Sequence, residues 1–92
     1  MSVVLLSAMP QAVGPVAHRS FIQRFGQRVR ALRLQGRLSQ EALADAARLH
    51  RTHISLIERG QRSVRLETVA ALAVALGVQP ADLMPRLESR RA

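Results

Sequence analysis

Read for its hydrophobic positions, the chain divides into short amphipathic segments separated by polar turns. Phe21, Phe25, Val29 and Leu32 recur at spacings of four, four and three, which puts them on one face of a helix from Ser20 to Leu34. Arg24, Arg28, Arg30 and Arg33 are interleaved and give that helix a basic outer face. Leu43 and Ala47, four apart, mark a second helix from Gln40 to Ala47, with Ser39 placed to accept a bond from a free amide at its start and Glu41 in its first turn. Ile54 and Ile57 form the buried stripe of a third helix, from Arg51 to Arg59, with Gly60 as its left-handed cap. Beyond a loop containing Gln61, Arg62 and Ser63, the residues Val69, Leu72, Ala73 and Leu76 stripe a fourth helix from Leu66 to Leu76, ended by Gly77. Pro80 opens a short fifth helix through Asp82, Leu83 and Met84, which Pro85 limits.

Two short helices joined by a tight turn at residues 40 to 59 match the helix-turn-helix pattern. Ala44 sits where the two backbones approach most closely, Leu49 closes the turn, and Ile54 and Ile57 fill the space between the helices. These residues are scaffold. Arg51, Thr52, Ser55 and Leu56 face outward or flank the buried stripe, and residues near the start of such a helix reach base edges in the major groove. Arginine can bond both acceptors of a guanine, serine and threonine can bond several bases, and the threonine methyl or Leu56 can touch a thymine methyl; a good bidentate contact gives roughly 1 to 3 kcal/mol of discrimination. Phosphate contacts are expected from Arg37, Gln40, His50, His53, Arg59, Arg62 and Ser63, because helix starts and the loop after a recognition helix run along the DNA backbone. Each arginine among them reads equally well as a solvated surface charge.

Composition agrees with a polyanion as partner. The formal charge is +8, from 14 arginines and no lysine against 6 acids, and 10 of those arginines lie between Arg19 and Arg62. Ninety-two residues allow one domain with a modest core, placed at 20–85 between an N-terminal tail, 1–19, and a short basic tail, 86–92. The N-terminal tail reads as flexible, or as an arm that packs on a partner subunit or tracks DNA. Its apolar run lacks a basic start and is broken by Pro10, Gly14 and Pro15, so it is neither a signal peptide nor a membrane span. There is no cysteine, and although His50 and His53 are three apart, no third ligand is spaced to complete a metal site. Glu58 beside a basic cluster reads as a structural carboxylate rather than a catalytic acid, since buried charges are normally paired. No Gly-rich phosphate loop, activated nucleophile or working carboxylate pair is present, which argues against an enzyme and against any cofactor.

Residues 21 to 84 resemble the Cro/C1-type (Xre) helix-turn-helix family, and the run LHRTHISLIERGQRS resembles controller proteins of restriction-modification systems. The features that carry the resemblance agree in register: Arg33, Leu38-Ser39-Gln40, Leu43-Ala44, Ile54, Ile57-Glu58, Gly60 and Leu76-Gly77. The resemblance implies an all-α, five-helix, lambda-repressor-like domain, in which Gln40 contacts a phosphate and steadies the recognition helix and Arg33 and Glu58 form a partly buried ion pair. Some positions depart from the family pattern. Arg48 stands where glycine is usual and positive φ is needed, at a cost of order 1 kcal/mol. Arg37 replaces another frequent glycine, with Gly36 one position early, and Val64, Arg65 and Gln79 replace common proline or cap residues.

One recognition helix contacts too little DNA for useful specificity, and a two-fold dimer places two in successive major grooves about 34 Å apart. A homodimer on a pseudo-palindromic operator is therefore expected. Val74, Val78, Leu83, Met84 and Leu87 are the candidates for its interface, with closure of the bundle as the competing role. The resemblance further implies a cytoplasmic regulator that controls its own restriction-modification operon and touches RNA polymerase. A phage-type repressor and an antitoxin that binds a toxin and represses its operon are the other readings.

Overall fold

The computed structural model describes residues 15–87, with side chains from Ser20 onward. Among the described residues there are five helices and no strand: α1 (Pro15–Gln35), α2 (Gln40–Ala47), α3 (Arg51–Glu58), α4 (Leu66–Leu76) and α5 (Pro80–Leu83). The expectations for residues 1–14 and 88–92 lie outside this range. The boundaries of α2 and α4 are those the hydrophobic stripes predict, and α3 and α5 each end one residue sooner. α1 differs more. It begins at Pro15, so residues 15–19 of the predicted flexible tail are helical. A proline suits that position because the first-turn amide it lacks would have no helical partner.

The core is built from all five helices: Phe25 and Val29 of α1, Leu43, Ala44 and Ala47 of α2, Ile54 and Ile57 of α3, Val69, Leu72 and Ala73 of α4, and Leu83 of α5. Leu32, Leu49 and Val78 pack against it from the side. Leu83 is fully buried, which corrects its assignment to a subunit interface. In a helix as short as Pro80–Leu83 one inward side chain must supply most of the anchoring, and Leu83 is that residue.

α1 lies directly across the end of α3 because position 26 has no side chain. A Cβ built there would overlap the Ile57 carbonyl oxygen and lie 2.9 Å from that of Glu58. Glycine within a helix costs about 1 kcal/mol relative to alanine, and here the close approach of two backbones outweighs it. Gly60 is confined in the same crossing: it adopts φ +71°, and a Cβ would meet Gln23 Cγ at 2.7 Å.

The turn between α2 and α3 keeps its left-handed residue although glycine is missing. Arg48 adopts φ 60° and ψ 46°, and the Leu49 amide donates to the Ala44 carbonyl at 2.8 Å, closing the turn. Arg37, after α1, is likewise left-handed at φ 59°. Gly36, one position early, is not the residue that takes the positive angle.

Candidate nucleic-acid interface

The local order of α2 starts with Ser39, whose Oγ accepts from the Ala42 amide at 2.9 Å and so fixes where the helix begins. That places Gln40 in the first turn, facing α3. Arg33, near the end of α1, donates from Nε to Glu58 Oε2 at 2.6 Å and from Nη2 to Glu58 Oε1 at 3.0 Å, while its Nη1 donates to the Leu38 carbonyl at 2.8 Å. Gln40 Nε2 adds a bond to Glu58 Oε1 at 3.1 Å. Arg33 and Glu58 are both buried, at 7% exposure each. Three helices therefore converge on one carboxylate, and the bidentate fork holds α3 at a set angle to α1. The Arg33–Glu58 pairing is thus present, and the role of Gln40 in steadying the recognition helix has a geometric basis.

Along α3, Arg51 and Thr52 are exposed at its first turn, and Ser55 and Leu56 are half-buried further along. His50 stands at the N-cap without a side-chain bond to the helix, so its imidazole is not committed there. Arg51 shares a surface recess with Arg33, Ser39, Gln40 and Glu41. A second recess joins Gln40, Ser55 and Arg59 to Gln27 and Arg30 of α1 and to Gln61. His53 lies close enough to His50 and Arg62 to feel both charges: partial burial first, then Arg62 and His50, hold its pKa below the ordinary value near 6.5.

The remaining predicted positions separate into two groups. Arg62 and Ser63 line an apolar recess with Phe21, Ile22, Phe25, Val64, Val69 and Met84. Arg37 is exposed beyond the end of α1 and lines none of these three recesses. Of the interface candidates, Val74 is 81% and Leu87 71% exposed, Met84 is exposed on a smaller scale, and Val78 is half-buried against the core. Leu66, absent from the predicted surface, is 82% exposed at the start of the helix that carries Val74. Its signal was available, since Leu66, Ala70 and Val74 recur every four residues opposite the Val69, Leu72, Ala73 stripe. Gln27 and Gln61 carried no such signal, being single polar residues that only the crossing of α1 and α3 brings together.

Two short helices crossing at a left-handed turn, with the second rooted by a buried ion pair and its first turn open to solvent, define a helix-turn-helix DNA-binding domain. Comparison with known proteins makes the class specific: the chain belongs to the helix-turn-helix domain family, which it matches over residues 24–87. It is 54% identical over 61 residues to control protein C.BamHI of Bacillus amyloliquefaciens, an alignment covering 65% of this chain and 75% of that one. It is also 43% identical over 54 residues to the immunity repressor of Bacillus phage phi105, covering 59% of this chain and 38% of the repressor. In three dimensions it matches the restriction-modification controller protein C.AhdI from Aeromonas hydrophila at TM-score 0.68 and 44% identity, over 68% of this chain and 96% of that one. This is a helix-turn-helix transcription regulator similar to restriction-modification controllers. Among the described residues no helix is long and apolar enough to cross a membrane.

Proposed function

We propose that the protein acts as a homodimer on a pseudo-palindromic operator upstream of its own restriction-modification operon, in the cytoplasm. The observation that supports this best is the exposed first turn of α3, where Arg51 and Thr52 stand on a helix held by the Arg33–Glu58–Gln40 bonds. Side chains on a helix fixed in this way lose little further freedom on binding, so their bonds to base edges go into discrimination. Arg51 reads a guanine, Thr52 and Ser55 bond neighbouring bases, and Leu56 meets a thymine methyl. Gln40, His50, His53, Arg37, Arg59, Arg62 and Ser63 set the register on phosphates. A second copy covers Leu66, Val74, Met84 and Leu87, which are large apolar side chains exposed on α4 and beyond it among the described residues. Occupancy of the operator by this dimer then either places the protein against RNA polymerase or blocks the promoter.

The reading is tested by titrating the purified protein onto its own upstream DNA at two salt concentrations, beside Arg51→Ala and a scrambled duplex. Tight binding that needs both Arg51 and the native sequence supports it. Equal binding to the two duplexes removes the claim of a specific regulator. The 43% identity to an immunity repressor favours a second reading within the same class, a phage-type repressor; the neighbouring genes separate the two.

A further inference from the structure

The recess between α1 and α3, about 620 Å³, has a floor and walls of different electrostatic character. The floor is Glu58, with both carboxylate oxygens already accepting from Arg33 and Oε1 accepting again from Gln40. Its charge is matched by the Arg33 guanidinium and its side chain is 3% exposed, so it does not repel an anion at the mouth. The walls carry two further cations, Arg30 on α1 and Arg59 after α3, both exposed. Arg30 makes no side-chain hydrogen bond and no ion pair among the described residues, and Arg59 commits only Nε, to the Ser55 carbonyl at 3.3 Å. Gln27, three residues before Arg30 on the same face of α1, and Gln61 opposite it add neutral amide donors. Two guanidinium groups, one without a bond and one with both terminal nitrogens free, and two amides over a neutralised floor form a subsite for an oxyanion.

Continuity identifies the anion. Gln40 and Ser55 line this recess, and Gln40 also lines the neighbouring recess that holds Arg51. An anion seated between Arg30 and Arg59 is therefore one ridge away from the start of α3. Resting on the DNA-binding reading above, we infer that Gln27 and Arg30 of α1, with Arg59 and Gln61, clamp a backbone phosphate of the duplex whose major groove α3 enters. The long helix is then a docking element as well as core, and it fixes how deeply α3 sits in the groove.

The test is anisotropy titration of the full chain on its labelled upstream duplex and on a scrambled duplex, over a series of salt concentrations. Arg30→Gln is compared with Arg30→Lys and with Arg86→Gln, which removes the same charge at an exposed position outside the recess. Arg30→Gln is expected to weaken both duplexes by the same factor and to lower the log-log salt slope by about 0.9 for each phosphate that the protein ceases to neutralise. Arg30→Lys and Arg86→Gln keep the wild-type slope. A wild-type slope for Arg30→Gln, in protein whose circular dichroism shows it folded, overturns the clamp while leaving DNA binding intact. Weakening confined to the upstream duplex also overturns it, because a phosphate contact carries no sequence information. A wild-type protein that binds neither duplex removes the DNA-binding reading itself.

Discussion

Gly26 of α1 faces the carbonyl oxygen of Ile57 at the end of α3 so closely that a single methyl group between them would overlap the backbone. The neighbours are the Ile57 and Glu58 carbonyls, which cannot swing away as a long side chain would. Gly26→Ala gains about 1 kcal/mol in helix propensity and loses more to overpacking, for a net destabilisation of about 2 kcal/mol, measured by denaturant unfolding. An unchanged midpoint would mean that α1 and α3 cross with room for a methyl group between them. Because the same crossing sets the angle of α3, DNA affinity should fall with stability.

Removing one partner of the Arg33–Glu58 pair should cost more than losing a surface bridge. Glu58→Ala leaves a buried guanidinium with its bond to the Leu38 carbonyl as the remaining interaction, and about 3 kcal/mol of stability should be lost. Gln40→Ala removes one of Glu58's three bonds and should cost about 1 kcal/mol. A cycle with the double variant Arg33→Ala/Glu58→Ala should show strong coupling, and additive losses would argue against a shared buried bridge.

Arg48 and Arg37 pay a conformational cost that glycine would relieve. Both are left-handed, and neither side chain makes a hydrogen bond among the described residues. Arg48→Gly should raise stability by about 1 kcal/mol, with the greater entropy of glycine in the unfolded chain taking back part of the gain. A fall in melting temperature would show that the arginine contributes packing that offsets its strain.

His53 makes stability depend on pH. Burial and the nearby Arg62 and His50 lower its folded-state pKa, so the folded protein binds its proton less readily than the unfolded chain. Its contribution is complete above the unfolded value near 6.5 and is lost as pH falls through the folded one. With a DNA phosphate beside the imidazole, as proposed above, the protonated form is favoured in the complex, so operator affinity should rise as pH falls through the acidic range. His53→Gln should flatten both profiles; a pH dependence that survives the substitution must come from another group.

Leu66 and Val74 against Leu83 separate surface from core. Val74→Glu and Leu66→Glu should leave the monomer folded and raise the dimer dissociation constant by at least about tenfold in sedimentation, which is about 1.4 kcal/mol. Leu83→Ala should instead lower stability by about 2 to 5 kcal/mol, because it empties a fully buried position. Unchanged self-association in the two glutamate variants would move the interface elsewhere.

The helices were legible in the amino-acid sequence because their signals are local. The four-three spacing of Phe25, Val29, Leu43, Ile54 and Ile57, the cap at Ser39 and the stops at Gly60 and Gly77 act within one or two turns, and each is where the structure has it. So was the Arg33–Glu58 pair, through its family register. The strain at Arg48 could be read in the same way, because a left-handed turn residue is a property of the turn itself. What the tertiary structure decided are the consequences of crossing angles, which have no local period. Leu83 and Met84 are adjacent and both apolar, yet the seating of α5 buries one fully and leaves the other exposed. No local signal marks Gly26 as a crossing point until Ile57 is laid across it, and Gln27, Arg30 and Gln61 become one recess only when α1 and α3 meet. Sequence by itself determined the five helical segments, except the start of α1 at residues 15–19, and which residues are candidates to bond DNA; packing determined which of them share a face, since that depends on contacts between positions about 30 residues apart.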